Sequence, residues 1–119
     1  MTVLSVVTFH VSPGRMDDFL ALVRTLQEIE NRLAANLVSM RVFEAEVAGR
    51  GSGRVSLVFE YADLASWGAT VDREREDAAY LALAGSDPEG DVATLVDRAL
   101  YTEIDFAQTG LEQGSGPRG

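Results

Sequence analysis

The sequence contains no cysteine and no lysine, and its only histidine is His10. Without cysteine, a thiol nucleophile, a disulfide and a thiolate metal ligand are excluded. Without lysine, Schiff-base chemistry, lysine-bound pyridoxal phosphate and a P-loop lysine are excluded. A single histidine also excludes a multi-histidine zinc site within one chain. We therefore expect neither a bound metal nor a cofactor.

Positive charge is scarce as well. Ten Lys+Arg, all of them arginine, stand against nineteen Asp+Glu, which gives a net charge of −9. Nucleic-acid binding needs a concentrated cationic face, and anionic membrane surfaces attract polybasic segments. We therefore expect no nucleic-acid partner and no membrane partner.

Long apolar runs are also missing. No segment approaches the roughly 20 apolar residues that span a bilayer. The opening residues 1–5 lack the basic region of a signal peptide. We expect a cytoplasmic protein, and arginine without lysine beside many alanines is typical of a GC-rich bacterial genome.

The pattern of apolar residues predicts the element order βαββαβ. Strands are predicted over 2–11, 38–47, 54–61 and within 92–106, most securely over 100–106. The first helix runs from Arg15 to a stop near Asn36, and the second begins after an N-cap at Asp63. A further helical turn or two is expected around 80–83.

This order is the ferredoxin-like arrangement, an α+β fold with an antiparallel sheet and its helices on one face. The predicted domain covers residues 1–106, and the glycine-rich segment 107–119 is predicted to be a flexible tail. The other face of the sheet needs a cover in a chain of 119 residues. A second copy that stacks sheet against sheet is the simplest cover, so we expect a homodimer.

Two passages resemble a known superfamily: 6–14, with the sequence VVTFHVSPG, and 58–67, with the sequence VFEYADLASW. With the element order, they make residues 2–106 similar to the dimeric α/β-barrel proteins, most of all the antibiotic-biosynthesis-monooxygenase type and NIPSNAP-like relatives. The resemblance implies a homodimeric barrel with a pocket between sheet and helices in each subunit. Its members include cofactor-free oxygenases of polyketide aromatics, haem-degrading enzymes, isomerases and cyclases, as well as proteins without known activity.

The resemblance also implies site residues. Cofactor-free oxygenases of this type have one aromatic residue at the end of the third strand and another six positions later, where Tyr61 and Trp67 stand with the two residue types exchanged. Their strand-three asparagine matches Leu57, and the strand-one asparagine of haem-degrading relatives matches Val7. Both amides are absent, and His10 is not on a helix, where those relatives hold iron. Haem degradation is therefore not expected.

An aromatic pocket is predicted around Tyr61 and Trp67. Both rings would border a cavity with few polar anchors, which suits a flat hydrophobic ligand. The alternative is a filled core, because aromatic residues at these spacings commonly pack between sheet and helix. The other expected lining residues are Phe9 and Phe59 on the strands and Phe19, Leu22, Val23 and Leu26 on the first helix.

His10 is the candidate general base, since its unperturbed pKa lies near neutrality. It alternates with Phe9, so it faces away from the predicted pocket if the odd-numbered residues meet the helices. A polar site of His10, Arg41 and Glu60 on that other face is one alternative. An ion-pair network between two subunits, or simple exposure, is another.

Three further segments have structural interpretations. The glycine-rich 49–53 is followed by strand-type residues, so it predicts a hairpin and not a phosphate loop. The charge run 72–77 is interpreted as a solvated helix face. The acidic loop with Asp87, Glu89 and Asp91 lacks the spacing of a calcium loop.

These observations predict a small cofactor-free enzyme, an oxygenase or cyclase, acting on an aromatic or polyketide-like molecule. Tyr61 and Trp67 would position the substrate, and His10 would act as base. The alternatives are a non-catalytic ligand-binding or accessory protein, and a structural dimer with a filled core.

Overall fold

Four strands and three helices lie within residues 1–106, the part of the chain that the computed structural model describes. The predicted tail, 107–119, lies outside the described residues. The elements are β1 (Val3–Val11), α1 (Met16–Leu33), β2 (Leu37–Val47), β3 (Arg50–Tyr61), α2 (Leu64–Glu74), α3 (Ala78–Ala84) and β4 (Ala93–Thr102).

The four strands form one antiparallel sheet in the order β2-β3-β1-β4. The first strand of the chain, β1, is therefore a central strand of the sheet, and the last strand, β4, pairs with it at the edge. This is the ferredoxin-like arrangement, so the predicted α+β fold is confirmed.

Alternation along β1 and β3 separates two faces of the sheet. Val3, Val11, Val55 and Tyr61 are buried and belong to the core, so odd-numbered residues of these strands meet the helices. We call this side the helix face. Even-numbered residues of β1 and β3 lie on the opposite side, which we call the open face. Register with these strands places residues of β2 and β4 there too. The open face carries Leu4, Val6, His10, Phe43, Val58, Glu60, Ala99 and Tyr101.

The core lies between the helix face and α1. Phe19 and Val23, one turn apart on α1, are 4% and 8% exposed, so the helical stripe read from the sequence does meet the sheet. Phe9 contacts Phe19 with ring centroids 5.4 Å apart and ring planes at 57°. Tilted rings at this separation combine area burial with a favourable quadrupole contact.

The link between β2 and β3 is tighter than the sequence suggested. Ala48 and Gly49 have φ of 52° and 80°, and Gly51 and Gly53 already belong to β3. Consecutive positive φ angles are those of a type I′ hairpin turn, whose twist matches that of the flanking strands. The prediction that β3 begins at Arg54 was therefore wrong, because a two-residue turn leaves the following glycines free to pair with β2.

Alanine at the first turn position is strained, which gives a testable prediction. Left-handed backbone costs a residue with a Cβ about 1 kcal/mol, and asparagine tolerates it better. We expect Ala48→Asn to raise the free energy of unfolding by about 0.5 kcal/mol, measured by urea denaturation. Ala48→Gly serves as the comparison, since glycine removes the strain but adds unfolded-state entropy. A less stable Ala48→Asn protein would contradict the turn geometry.

Other boundaries confirm or correct the sequence interpretation. Asp63 caps α2, accepting a hydrogen bond from the Ser66 backbone N–H at 2.8 Å. The first helix ends at Leu33 rather than near Asn36, which has a φ of 50° and lies in the turn before β2. The last strand ends at Thr102, which pairs with Val3, so extending it to residue 106 was wrong.

Candidate functional site

Tyr61 ends β3 with its side chain on the helix face and only 3% exposed. Burial is the main cause that raises the pKa of its phenol above the ordinary value, and the charges of Glu30 and Glu74 act in the same direction. The hydroxyl of Thr70 acts in the opposite direction. Tyr61 therefore stays protonated and available as a hydrogen-bond donor throughout the physiological pH range.

Glu30 is the least expected residue of the core. It lies on α1 in the last turn, is 2% exposed, and has an Oε1 without a hydrogen-bond partner among residues 1–106. Burial raises the pKa of this carboxyl to about 9, helped by a hydrogen bond with Glu74 and by the negative charges of Glu74 and Asp77. A carboxyl in such surroundings is neutral at pH 7 and can donate a proton.

Tyr80 completes the group. It is half-buried on α3, and burial followed by the charges of Glu74 and Glu30 raises the pKa of its phenol. We call Glu30, Tyr61, Glu74 and Tyr80 the acid–phenol cluster. Its members come from α1, β3, α2 and α3, so four elements meet at this end of the sheet.

A salt bridge holds α3 against α1 beside the cluster. Arg32 contacts Asp77 through both guanidinium ends, at 2.9 and 3.0 Å, and Asp77 also accepts from the Tyr80 backbone N–H at 2.9 Å. The Arg32 hydrogen bond lowers the pKa of Asp77 to about 2, so its charge persists near Glu30. The geometry is bidentate, which fixes orientation as well as charge.

Hydrogen bonds also fix α2 against the end of α1. Thr70 is fully buried, accepts from the Ala35 backbone N–H at 3.0 Å and donates to the Ser66 carbonyl at 2.8 Å. Arg73 donates to the Leu33 carbonyl at 2.8 Å. The backbone around the cluster is therefore held at several points, as a preorganised site requires.

The charge run 72–77 is a correction. Because α2 ends at Glu74 and Asp77 starts α3, the run does not form one solvated helix face. Glu74 turns toward Glu30, and the Asp77 side chain is only 15% exposed in its bridge to Arg32. Only part of the run, including Asp72 and Arg75, remains at the surface.

The predicted aromatic residues divide between two ends of the helix face. Phe59 is buried on β3 beside Tyr61, and half-buried Trp67 packs from α2 against the same core. Phe9 and Phe19 lie at the other end, because Tyr61 pairs with Val3, six residues before Phe9. At about 3.3 Å per residue, that is a separation of about 20 Å. Val23 lies one turn beyond Phe19, in the middle of the core.

His10 is not brought together with these residues. It is exposed on the open face, opposite Arg54 and Thr94, whereas Tyr61 faces the helices. Glu60 shares the open face but pairs with Leu4, six residues from His10, so the alternative polar site is spread over about 20 Å. Glu60 accepts a hydrogen bond from Ser39, at 3.3 Å.

A groove of about 440 Å³ lies at the Phe9 end. Asp87 borders it and accepts hydrogen bonds from the backbone N–H groups of Asp91, Val92 and Ala93, at 2.8 to 3.1 Å. The acidic loop thus folds around its own aspartate. Within residues 1–106, no three His, Cys, Asp or Glu side chains are grouped as metal ligands. The groove is lined by Arg15, Asp18, Ala21, Leu22, Ser86, Asp87, Asp91 and Val92.

Sequence reasoning missed Glu30, Glu74 and Tyr80. One signal was present: Glu30 follows Phe19 by eleven residues and Val23 by seven, so it continues the core stripe of α1. A carboxyl at a stripe position is a candidate for a perturbed pKa. Glu74 and Tyr80 gave no such signal, because the break between α2 and α3 decides where they point.

Comparison with known proteins supports the fold. No family model and no curated protein matches the sequence. The structure has the same ferredoxin-like fold as solved structures of NIPSNAP family proteins and of a cofactor-independent oxygenase. Along residues 1–106, no helix is long and apolar enough to cross a membrane.

Three solved structures illustrate the likeness. A NIPSNAP family protein from Agrobacterium tumefaciens superposes with a TM-score of 0.67 at 18% identity, covering 89% of this chain and 96% of that one. SnoaB, a cofactor-independent oxygenase from Streptomyces nogalater, gives 0.64 at 13% identity, covering 87% and 94%. A second Agrobacterium tumefaciens NIPSNAP protein, of unknown function, gives 0.65 at 15% identity, covering 88% and 90%. What is shared at these identities is the fold.

Proposed function

We propose that the protein is a cytoplasmic, cofactor-independent enzyme acting on an aromatic or polyketide-like small molecule, and that Glu30 exchanges a proton with that molecule. The observation that carries the proposal is the buried Glu30 carboxyl beside Tyr61, with an oxygen unpartnered among the described residues. A neutral carboxylic acid stabilises an enolate by donating to the oxygen on which negative charge develops. Both oxygenation and cyclisation of polyketide-like molecules pass through such an anion.

The surroundings of the cluster support this substrate class. Trp67 is half-buried against the core that contains Phe59 and Tyr61, so it supplies aromatic surface there. Sites lined by aromatic residues bind flat apolar molecules with few polar anchors. The fold likeness to a cofactor-independent oxygenase adds weight to the same proposal. In this assignment Glu30 acts as a general acid at the substrate oxygen, whereas His10 was considered as a general base, and the carbon-bound proton passes to solvent water.

A non-catalytic ligand-binding role is the second candidate, and one observation favours it. Val7 and Leu57 oppose each other on the helix face, and Leu57 is 3% exposed. Leu57 is the position matched to the asparagine of the cofactor-free oxygenases, and Val7 is matched to that of the haem-degrading relatives. No amide side chain can therefore contact a ligand at either position. Binding without turnover, or cyclisation without oxygen, is consistent with these apolar side chains.

Proton exchange tests the enzyme proposal without knowledge of the natural substrate. The methyl protons of 2-acetylnaphthalene, an aryl ketone, exchange in D2O through its enol, which proton NMR follows. We expect the wild-type protein to accelerate exchange at least about tenfold, and Glu30→Gln to abolish the acceleration. Glu28→Gln, an exposed change on the same helix, should retain it. Ketone binding without accelerated exchange would support the ligand-binding candidate instead.

We also propose a homodimer that covers the open face. Leu4, Val6 and Val58 are half-buried there, and Phe43 and Tyr101 are 48% and 55% exposed. An apolar sheet face of this extent normally lies against another layer. A second copy offers an identical apolar face, which a two-fold interface requires.

Neighbouring residues on β2 test the dimer with a matched control. Phe43 lies on the open face, while Val42 pairs with Leu57 and lies on the helix face, with a similar exposed fraction of 42%. We expect light scattering to give twice the 12.8 kDa chain mass for wild type and Val42→Arg. Phe43→Arg should shift the protein toward monomer at micromolar concentration. A monomeric wild type would rule out the dimer.

A further inference from the structure

The helix face is not fully covered at β4. Register places Leu95, Arg98 and Leu100 opposite Phe9, Val7 and Ser5. Directly paired residues point to the same side of a sheet, so these three belong to the helix face. Leu95 and Leu100 are nevertheless 48% and 41% exposed, and Arg98 is exposed too. We call these three residues of β4 the uncovered strip.

The nearest helix does not cover the strip. The helix α3 has no buried residue, and Leu81 on it is 52% exposed. Burial, followed by the charges of Glu74 and Glu30, raises the pKa of the phenol of its half-buried Tyr80. The positive charge of Arg98 acts in the opposite direction, so Arg98 lies close to this phenol. Tyr80 therefore connects the uncovered strip to the acid–phenol cluster.

Arg98 is the charged group of the strip, and it is unpaired within the described chain. No carboxylate of residues 1–106 lies within salt-bridge distance of it, whereas Arg15, Arg32 and Arg75 each have an aspartate partner. Arg24, Arg41, Arg50, Arg54 and Arg73 also lack a carboxylate partner among these residues. Of the strand arginines within residues 1–106, however, Arg98 alone lies on the helix face, between two exposed leucines. The arrangement is complementary to an apolar molecule that carries one negative group.

We propose that the uncovered strip binds the apolar body of the substrate and that Arg98 pairs with an anionic group on it, a carboxylate. This inference rests on the proposed function, since it names the substrate class of the same site. The substrate is then an aromatic or polyketide-like acid. Its carboxylate is held at β4, and its carbonyl end extends past Tyr80 toward Glu30.

A pair of probes that differ only in charge tests the inference. Isothermal titration calorimetry at pH 7 compares 2-naphthoate with the neutral 2-naphthamide. One charged hydrogen-bonded pair corresponds to about a tenfold difference in affinity, so we expect wild type to prefer the carboxylate by about that factor. Arg98→Gln should reduce 2-naphthoate binding to the level of the amide and leave amide binding unchanged. Arg24→Gln, an exposed arginine change on α1, should behave as wild type.

The outcomes of this experiment distinguish a failure of this inference from a failure of the proposed function. Equal binding of both probes by wild type and by Arg98→Gln would overturn the anionic substrate and leave the aromatic site in place. Binding of neither probe would overturn both. Carboxylate affinity that weakens as protein concentration rises would assign the strip to a second copy of the chain and overturn the inference.

Discussion

Glu30→Gln is expected to remove most of the pH dependence of stability between pH 5 and pH 9. In the folded protein, burial and the neighbouring carboxylates raise the pKa of Glu30 from an ordinary 4.5 to about 9. The native state therefore retains a proton that the unfolded state releases. Its contribution is complete below pH 4.5 and is lost as the pH rises toward 9.

The expected size of this effect is large for a small domain. One pKa unit corresponds to about 1.4 kcal/mol, so a carboxyl whose pKa is raised from 4.5 to about 9 should cost wild type about 5 kcal/mol of unfolding free energy between pH 5 and pH 9. Glutamine keeps the neutral shape and a donor toward Glu74, so Glu30→Gln should be nearly flat and more stable than wild type at pH 8. Urea unfolding followed by circular dichroism at each pH provides the measurement.

Asp77, Tyr61 and Tyr80, which lie near Glu30, titrate outside this window. Asp77 has a lowered pKa, so its contribution is lost only as the pH falls toward 2. Burial is the main cause that raises the pKa values of Tyr61 and Tyr80 above the ordinary phenol value, so both stay neutral across this window. Glu28→Gln is the control and should keep the wild-type slope. The same slope in Glu30→Gln would show that Glu30 does not hold the extra proton.

Trp67→Ala should separate packing from ligand binding at the same end of the fold. A fully buried aromatic residue costs about 3–5 kcal/mol on truncation to alanine. Trp67 is half-buried against the core, so we expect a loss of about 2 kcal/mol in thermal unfolding. Its proposed place beside Tyr61 predicts that the affinity for 2-acetylnaphthalene falls at least about tenfold.

The matched variant is Trp67→Phe. Phenylalanine retains an aromatic face and most of the volume, so stability should fall by less than about 1 kcal/mol and most of the probe affinity should remain. Severe destabilisation by Trp67→Ala, together with no probe binding by wild type, would identify Trp67 as a packing residue. The aromatic pocket would then lose its support.

The fold could be predicted because its local signals agree with its tertiary structure. Alternation along β1 separated two faces of the sheet but left open which one meets the helices. The stripe of α1 identified the helix residues that cover the sheet, and the cap at Asp63 predicted the start of α2. Each signal depends on neighbours within a few residues. The start of β3 was misplaced because its glycines become strand only through pairing with β2.

The candidate site could be predicted only in part for the same reason. Tyr61 and Trp67 were named through the resemblance to cofactor-free oxygenases, and their role in a site remains a prediction. The perturbed carboxyl was not predicted, because its state depends on burial and on Glu74 and Asp77, 44 and 47 residues further along the chain. A run of alternating charges says nothing about where a helix breaks, and the break between α2 and α3 turns two of those charges inward.

The central position of β1 has a consequence for synthesis of the protein on the ribosome. Val3 pairs with Tyr61 on one side and with Thr102 on the other, so the first strand to emerge has no neighbour until much of the chain has followed. During translation an apolar strand with two unpaired edges is a template for pairing with other nascent chains. Closing both edges requires contacts distant in sequence, which form slowly. Codon-dependent pauses before β4 would therefore prolong the aggregation-prone stage.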